Sequence, residues 1–327
     1  MRALRYQTFA DPVDLRVEDV PAPVPAAEEV LVRIHAASVN PVDWKIATGD
    51  FRLLVRGGLP RTMGSDFAGE VIATGAGVTR LATGDRVFGF VDPFTRAGGT
   101  FAEFAAVPSK FAHRLPDSVS FRDAAALACV GATAVTLCNL GRVTLGSRVL
   151  VNGAAGGVGH MAVQVAKARG ATVTATSSSI RHDFLRALGA DACIDYRSVP
   201  MDRWPQGFDA VLDCVPNLPR AVQRKLLRRG GSYVTTVPGP VTLLLDPLLN
   251  LFGGVQRRGV MLQPDAAVMK ELLGYVARGQ LRCSIEQEFP LSEARRAIER
   301  SRSGRVQGKI LLRVPWENGD AHLFSGK

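Results

Sequence analysis

Arg148-Val149-Leu150-Val151-Asn152 runs directly into Gly153-Ala154-Ala155-Gly156-Gly157-Val158-Gly159, and the reading of this stretch decides the fold. The short β-branched run fits a strand buried on both faces, and the amphipathic residues from Val158 to Arg169 fit a helix. Glycines between them let the chain turn tightly, let an anion approach bare backbone, and let helix and strand pack closely. The N-terminus of the following helix offers oriented N–H groups and partial positive charge to that anion. A Gly-x-Gly-x-x-Gly match alone is weak, and here its first position is Ala154. The strand before and the helix after supply the context, so the pyrophosphate of a dinucleotide is the expected occupant.

Working outward, the alternation continues: a strand at Thr172 to Thr176, a helix at Arg181 to Leu188, then short strands at Cys193 to Asp195, Ala210 to Asp213 and Ser232 to Val237. Short apolar strands alternating with amphipathic helices predict a doubly wound parallel sheet of the Rossmann type, an α/β arrangement. The first 120 residues read differently. Turn residues such as Gly57-Gly58, Gly75 to Gly77 and Gly98-Gly99 separate short runs at Val30 to Ile34, Gly69 to Thr74 and Arg86 to Phe90, which predicts a mostly β unit. Met1 to Val20 alternates apolar with charged residues and is expected to begin that unit as a first strand, not to form a signal peptide.

After Pro264 the sequence predicts a helix at Ala266 to Arg278, a strand at Ser284 to Phe289, a helix at Ser292 to Arg302 with Ser292 as N-cap, and a strand at Lys309 to Val314. These elements would complete the β unit. The expected division is therefore residues 1–120 with 265–327 as one discontinuous domain, and 121–264 as the inserted dinucleotide domain. Pro315 to Lys327 reads as a loose tail.

Which dinucleotide binds depends on the end of the second strand, where an acidic side chain would accept hydrogen bonds from a free ribose 2′-hydroxyl. Thr176 is followed instead by Ser177, Ser178, Ser179, Ile180 and Arg181. Hydroxyls and a guanidinium there suit a 2′-phosphate, so NADPH is the expected cofactor. The plainer alternative leaves Arg181 as a solvated first-turn residue.

Length and composition bound the rest. With 327 residues, 46% hydrophobic and 21% charged, the chain reads as a globular protein of two folding units and not as a disordered one. Lys and Arg number 40 against 30 acidic residues, so an anionic partner must be considered. Only 7% of residues are aromatic and the basic residues are dispersed, which makes nucleic acid an unlikely partner. Five widely spaced cysteines without a Cys-x-x-Cys pair suggest a reducing, cytoplasmic setting without disulfides or a zinc ribbon. The leucine-rich run Val241 to Phe252 is interrupted and much shorter than the ~20 residues a bilayer span needs, so no membrane span is expected.

With these residues in place, the chain resembles the medium-chain dehydrogenase/reductase superfamily, in its zinc-free quinone oxidoreductase and enone reductase branch. The motifs that carry the resemblance spread from about residue 1 to 314. They are Ala37-Ser38-Val39-Asn40-Pro41-Val42-Asp43-Trp44-Lys45, Gly64-Ser65-Asp66-Phe67-Ala68-Gly69, Gly131-Ala132-Thr133-Ala134, the Ala154 to Gly159 loop, Ile194-Asp195-Tyr196-Arg197 and Gly308-Lys309-Ile310. The resemblance implies a GroES-like β domain for the terminal portions and a Rossmann domain for the middle. It further implies that Ala155, Gly156, Gly157 and Val158 line the pyrophosphate. Ser177, Ser178, Arg181 and Tyr196 would hold the 2′-phosphate end, and Asn40, Thr133 and Lys309 would lie toward the ribose and nicotinamide. Tyr196 as a half-buried strand-end aromatic, and Thr133 as core packing, are the alternatives.

Zinc-dependent relatives in this superfamily hold their catalytic metal on a cysteine, a histidine and a second cysteine. The matching positions here are Asn40, Ser65 and Cys129, a set with one thiol, so no metal site is expected and Cys129 reads as a small buried hydrophobe. Without a Lewis acid, the feasible reaction is hydride delivery to a quinone or to an α,β-unsaturated carbonyl, whose developing oxyanion is delocalised. Asn40, Asp43 and Lys45 are the candidate catalytic residues: Asn40 as an amide donor, and Lys45 as a donor held by Asp43. A surface ion pair of Asp43 with Lys45 is the alternative. Trp44 lines the acceptor slot or packs the domain. An enoyl-thioester reductase and a non-catalytic NADPH sensor or nucleic-acid binder are the rival functions. Thr242 to Gly259 is either a homodimer interface at the sheet edge or a cover over an apolar substrate mouth.

Overall fold

A computed structural model of the chain describes residues 1–11, 13–95, 98–252, 254–261 and 265–316. It divides into two compact units, Met1–Cys129 with Ile285–Arg305 and Lys309–Lys327, and Val130–Ser284 with Val306–Gly308.

In the second unit six parallel strands lie in the order Ala192–Asp195, Thr172–Ser177, Arg148–Asn152, Phe208–Asp213, Leu227–Thr235 and Gln256–Gly259. The chain leaves Arg148–Asn152 toward one edge and returns to its other side at Phe208–Asp213. That reversal is the switch point at which open α/β sheets form a crevice at the carboxyl ends of their strands. Val149, Leu150 and Val151 have no exposed surface, as strands covered by helices on both faces require.

The first unit is built on seven strands: Ile285–Pro290, Lys309–Arg313, Glu29–Val39, Asp66–Thr74, Arg86–Phe90 and Ala112–Arg114 in that order, with Phe104–Pro108 also pairing Glu29–Val39. A second sheet joins Leu15–Asp19, Arg2–Tyr6 and Arg61–Thr62. Antiparallel pairing of Ile310 with Val39 brings the two ends of the chain together and sets Lys309 beside Asn40.

Several expectations are corrected. Met1 to Val20 forms two antiparallel strands, not one. The helix placed at Arg181 opens with a 3-10 turn, Ser179–Arg181, before the α-helix His182–Ala187. Ser292 caps nothing: it lies in the 3-10 turn Leu291–Glu293, and Glu293 precedes the helix Ala294–Arg302. Helix Ala266–Ala277 belongs to the second unit, where Leu272 packs on Gly131 and Tyr275 accepts a hydrogen bond from Arg169, so the border falls at Ser284 and not at Pro264. The other border lies inside helix Phe121–Leu140, at Cys129, not at residue 120.

Among the described residues that helix, not Val241 to Phe252, is the candidate for a span by length and composition. It is long and apolar enough to cross a membrane, yet 72% of its apolar stretch is buried within the protein, as in a core helix. The tail begins packed: Trp316 donates to Ile34 O at 2.8 Å and lies 5.2 Å from the Phe104 ring. The rest of the tail, 317–327, lies outside the described residues.

Candidate functional site

In the second unit the predicted loop is held from several sides. Gly153 takes φ +72°, and its N–H donates to Thr176 Oγ1 at 3.1 Å while Ala154 N donates to Thr176 O at 3.0 Å. A Cβ on Gly159 would stand 2.2 Å from Gly153 O, so only glycine permits this approach of helix to turn. A Cβ on Gly156 would meet nothing nearer than 3.6 Å, so the space over that residue is a backbone cradle that a side chain would fill. Helix Gly157–Ala168 begins there without a side-chain cap, leaving its first N–H groups for an anion. Ala155, Gly156, Gly157 and Val158 thus form one surface that fits a pyrophosphate.

Sequence reasoning missed what supports this loop. His160 is fully buried and accepts at Nε2 from Ser284 N at 3.1 Å; its Nδ1 therefore carries the proton and donates to Gly156 O at 2.9 Å. Asn152, at the end of its strand, donates to Asp213 Oδ1 and Asn217 Oδ1, both at 2.8 Å, and accepts from Thr176 Oγ1 at 2.7 Å. Burial raises the pKa of Asp213, and Tyr233 donates to it at 2.5 Å. The Gly-rich pattern signalled the loop; nothing local signalled His160, whose partner lies 124 residues away.

At the end of strand Thr172–Ser177, Ser177 lies in register with Asp195 on the neighbouring strand, and Tyr196 N donates to Ser177 O at 3.4 Å. Ser177, Ser178, Arg181 and Tyr196 are therefore brought to one edge. Tyr196 follows the end of strand Ala192–Asp195 and is 52% exposed, with the Arg197 guanidinium 5.8 Å from its ring. Arg181 donates to Gln307. Asp195 was overlooked as a functional group: it accepts from Arg197 N at 2.9 Å, and this bond, with hydrogen bonds from Ser179, holds its carboxyl below the usual range. Thr133 is buried in helix Phe121–Leu140.

The first unit assembles Asn40, Asp43 and Lys309 in one buried network around Asp66. Lys309 Nζ donates to Asn40 Oδ1 at 2.6 Å and Val39 O at 3.0 Å, and lies 3.6 Å from Asp66 Oδ2. Asn40 Nδ2 donates to Asp66 Oδ2 at 2.8 Å, so its amide is turned inward and is not the outward donor the sequence suggested. Ser38 also donates to Asp66, and Cys129 N donates to Asp66 Oδ1 at 3.1 Å. Asp43 lies at the first turn of helix Pro41–Thr48, accepting from Asn40 N at 2.8 Å and Ser65 Oγ at 2.9 Å. Burial, together with the charge of Asp66, pushes its pKa up to about 7 against these two hydrogen bonds and Lys309. Asp66 is raised as well, by burial.

The Asp43 to Lys45 pair is not formed. Asp43 is 4% exposed, and among the described residues no ion pair joins it to Lys45, whose ammonium lies 5.7 Å from the Trp44 ring. A short helix turns consecutive side chains about 100° apart, so residues two apart cannot share a face. Trp44 packs the domain: it donates to Ser301 Oγ at 3.1 Å and lines a groove of about 380 Å³ with Leu15, Ile298 and Arg302. Asp43 also lines a small cavity with Tyr6 and the buried Arg61, which sequence reading did not single out.

Asn40, Ser65 and Cys129 do meet, around Asp66, but as an amide, a hydroxyl and a half-buried thiol beside a buried ammonium. A cation already fills the electrostatic role, and this donor set does not fit a zinc ion. Among the described residues no three His, Cys, Asp or Glu side chains converge.

A GroES-like β unit interrupted by a doubly wound sheet with a glycine loop at its switch point defines a class of α/β dehydrogenases and reductases. Residues 26–117 match the family described as alcohol dehydrogenase GroES-like domain, and residues 188–312 the one described as zinc-binding dehydrogenase. The chain is 33% identical to the chloroplast envelope quinone oxidoreductase homolog of Arabidopsis thaliana over 95% of this chain and 98% of that protein. It is 32% identical to 2-methylene-furan-3-one reductase of Solanum lycopersicum, covering 95% and 79%. The structure of the quinone oxidoreductase from Coxiella burnetii superposes with a TM-score of 0.87 at 32% identity, covering 96% and 99%. The chain belongs to the medium-chain dehydrogenase/reductase family, in its quinone oxidoreductase and enone reductase branch.

Proposed function

We propose that this protein is an NADPH-dependent, zinc-independent oxidoreductase that delivers hydride to a quinone or to the β-carbon of an α,β-unsaturated ketone or aldehyde. The observation that carries the reading is the junction after Thr172–Ser177, where Ser177, Ser178 and Arg181 gather beside Tyr196 and the strand itself ends without a carboxylate. These groups suit a phosphorylated adenosine ribose. Bound nicotinamide supplies the hydride; the chain's part is to hold it, orient it and exclude water. Gly156 to Val158 bind the diphosphate through the open backbone cradle and the uncapped helix start. Asp43, with a pKa of about 7, is the group best tuned to exchange a proton near neutrality. Relatives named quinone oxidoreductase and enone reductase support the acceptor class.

Stopped-flow oxidation of NADPH against a panel of quinones and alkenals tests the reading. Turnover that survives exhaustive chelation is expected; a divalent ion that proves indispensable, or no turnover with any acceptor despite tight NADPH binding, overturns it. One observation favours a second cofactor reading. The Asp195 carboxylate beside Ser177 would suit a free ribose hydroxyl, and hence NADH. The ratio of the two dissociation constants decides between them.

A further inference from the structure

Asp43 faces two sets of neighbours. One is the network described above, which places a single hydrogen bond on each carboxyl oxygen: Ser65 Oγ donates to Oδ1 at 2.9 Å and Asn40 N to Oδ2 at 2.8 Å. The other is a cavity of about 20 Å³ whose lining includes Asp43, Ile46, Tyr6 and Arg61, but none of Asn40, Ser65, Asp66 or Lys309. The Asp43 carboxyl is the partition between them. An ionised carboxylate has about four acceptor sites, so both oxygens keep a lone pair for the second side.

The fold sets the walls of that cavity. Tyr6 lies directly opposite Arg61 where strand Arg2–Tyr6 pairs with Arg61–Thr62, so the two side chains leave the sheet on one face. Asp43 and Ile46 are one turn apart on the buried face of helix Pro41–Thr48. The Arg61 guanidinium is buried and fixed by two carbonyls, Arg56 O at 2.6 Å and Pro93 O at 3.0 Å. It also hydrogen-bonds the Tyr6 hydroxyl. A guanidinium only donates, so the Tyr6 oxygen accepts and its own O–H is left to donate. Burial raises the Tyr6 pKa, Arg61 opposes that rise and Asp43 adds to it, so the hydroxyl stands within reach of both charges. A cavity of this size holds one water, which needs about two to four polar partners. An acid, a phenol and a guanidinium supply them. Gly98, which also lines the cavity, is exposed, so solvent reaches its mouth.

We propose that this cavity seats one water bridging Asp43, Tyr6 and Arg61, and that the water is the proton inlet of Asp43, with Tyr6 and Arg61 as its positioning residues. The inlet rests on the reading of Asp43 as the group that exchanges a proton. The step balances without a further reductant, because the electron pair arrives with the hydride. An O–H bond breaks at Asp43 and one forms at the oxyanion of the reduced acceptor, relayed by the Ser65 hydroxyl; the water then gives a proton to the carboxylate and takes one from solvent. The other charged groups facing Asp43 are Asp66 and Lys309. Both are buried, so neither brings in a proton from outside.

Crystallography that shows ordered water, together with NADPH oxidation by a quinone, tests this. The expected density is one water within about 3 Å of Asp43 and of the Tyr6 hydroxyl. A dry cavity overturns the proposal whatever the kinetics show. Tyr6→Phe keeps the ring and removes the hydroxyl, so kcat should fall roughly tenfold while the quinone KM and the NADPH dissociation constant stay unchanged. Added to Asp43→Asn it should cost nothing more, because the water serves that carboxyl alone. Unchanged kcat in Tyr6→Phe, or losses that multiply in the double variant, overturns the inlet. Full activity of Asp43→Asn with the water in place instead sinks the reading of Asp43 on which the inlet rests. If the parent turns over no acceptor, carbon-13 titration of the Asp43 carboxyl decides: its proton affinity should rise about tenfold in Tyr6→Phe, whose ionised form loses a bridged donor, and an unchanged affinity overturns the inlet. Should Tyr6→Phe fail to fold by circular dichroism, the density in the parent decides.

Discussion

The two units build their candidate sites from different materials. In the second unit, recognition is backbone: Gly153 to Gly159 present N–H groups and an open cradle, and the side chains beneath only hold the loop in place. In the first unit, the candidate groups are side chains packed into a buried network whose members come from positions 38, 40, 43, 65, 66, 129 and 309. A site made of backbone tolerates no added atoms, whereas a site made of buried charges tolerates no missing ones. The two units should therefore fail in opposite ways.

The sharpest contrast lies within the glycine loop. Gly159→Ala places a Cβ 2.2 Å from Gly153 O, a backbone contact that cannot yield without moving the turn, so thermal melting should show a loss of about 3 kcal/mol or more and nucleotide binding should vanish. Gly156→Val faces no such contact, and Gly156 has extended backbone, so its melting should stay close to that of the parent while NADPH binding weakens roughly a hundredfold by filling the cradle. Equal melting losses in both variants would show that the open space over Gly156 is not a binding surface.

Lys309→Met reverses the logic by taking an atom group away. It leaves Asp66, fully buried, without its ammonium and Asn40 Oδ1 without its donor, at an expected cost of about 3–5 kcal/mol in chemical denaturation. A loss under 1 kcal/mol would mean that Asp66 is held neutral in the parent and that the cation is dispensable.

How much was legible follows the same division. The strand at 148–152 and the glycine loop were readable because their signals are local: β-branched residues, then glycines, within twelve positions. The identities of Asn40, Asp43 and Lys309 were readable through the family motifs, but not their partners. Asn40 and Lys309 meet only because Ile310 pairs with Val39 across 271 positions of chain, and no local pattern encodes that register. The supposed Asp43 to Lys45 pair failed for this reason: sequence proximity stood in for spatial proximity on a helix that separates them. His160 went unnoticed, and Asp195 was read only as part of a motif, because each looks ordinary until its neighbour on another element is known.

Arg181→Ala tests the adenosine end at smaller scale. Losing a charge-assisted contact to a 2′-phosphate should weaken NADPH roughly 10- to 100-fold in fluorescence titration and leave NADH unchanged. Because Arg181 also donates to Gln307, Arg181→Lys should restore only part of the affinity. Equal weakening of both cofactors would confine Arg181 to holding Gln307 and turn attention to Asp195.

The last expected effect, one of slope rather than of size, is the most specific to the side-chain network. Asp43 has a folded pKa of about 7, above its ordinary carboxyl value. Below about pH 4 both folded and unfolded chains hold its proton. As pH rises from there to about 7, the unfolded chain has released the proton and the folded one has not, so burial of Asp43 removes stability progressively and then levels off. Asp43→Asn abolishes this titration. Its amide gives up one of the two acceptor oxygens used by Asn40 N and Ser65 Oγ, so the variant starts with a pH-independent loss. The discriminating quantity is the slope: melting measured from pH 4 to pH 8 should move in the variant's favour by on the order of 4 kcal/mol relative to the parent, then run parallel. Parallel curves over the whole range would place the Asp43 carboxyl at its ordinary value and remove the physical reason for assigning it proton exchange.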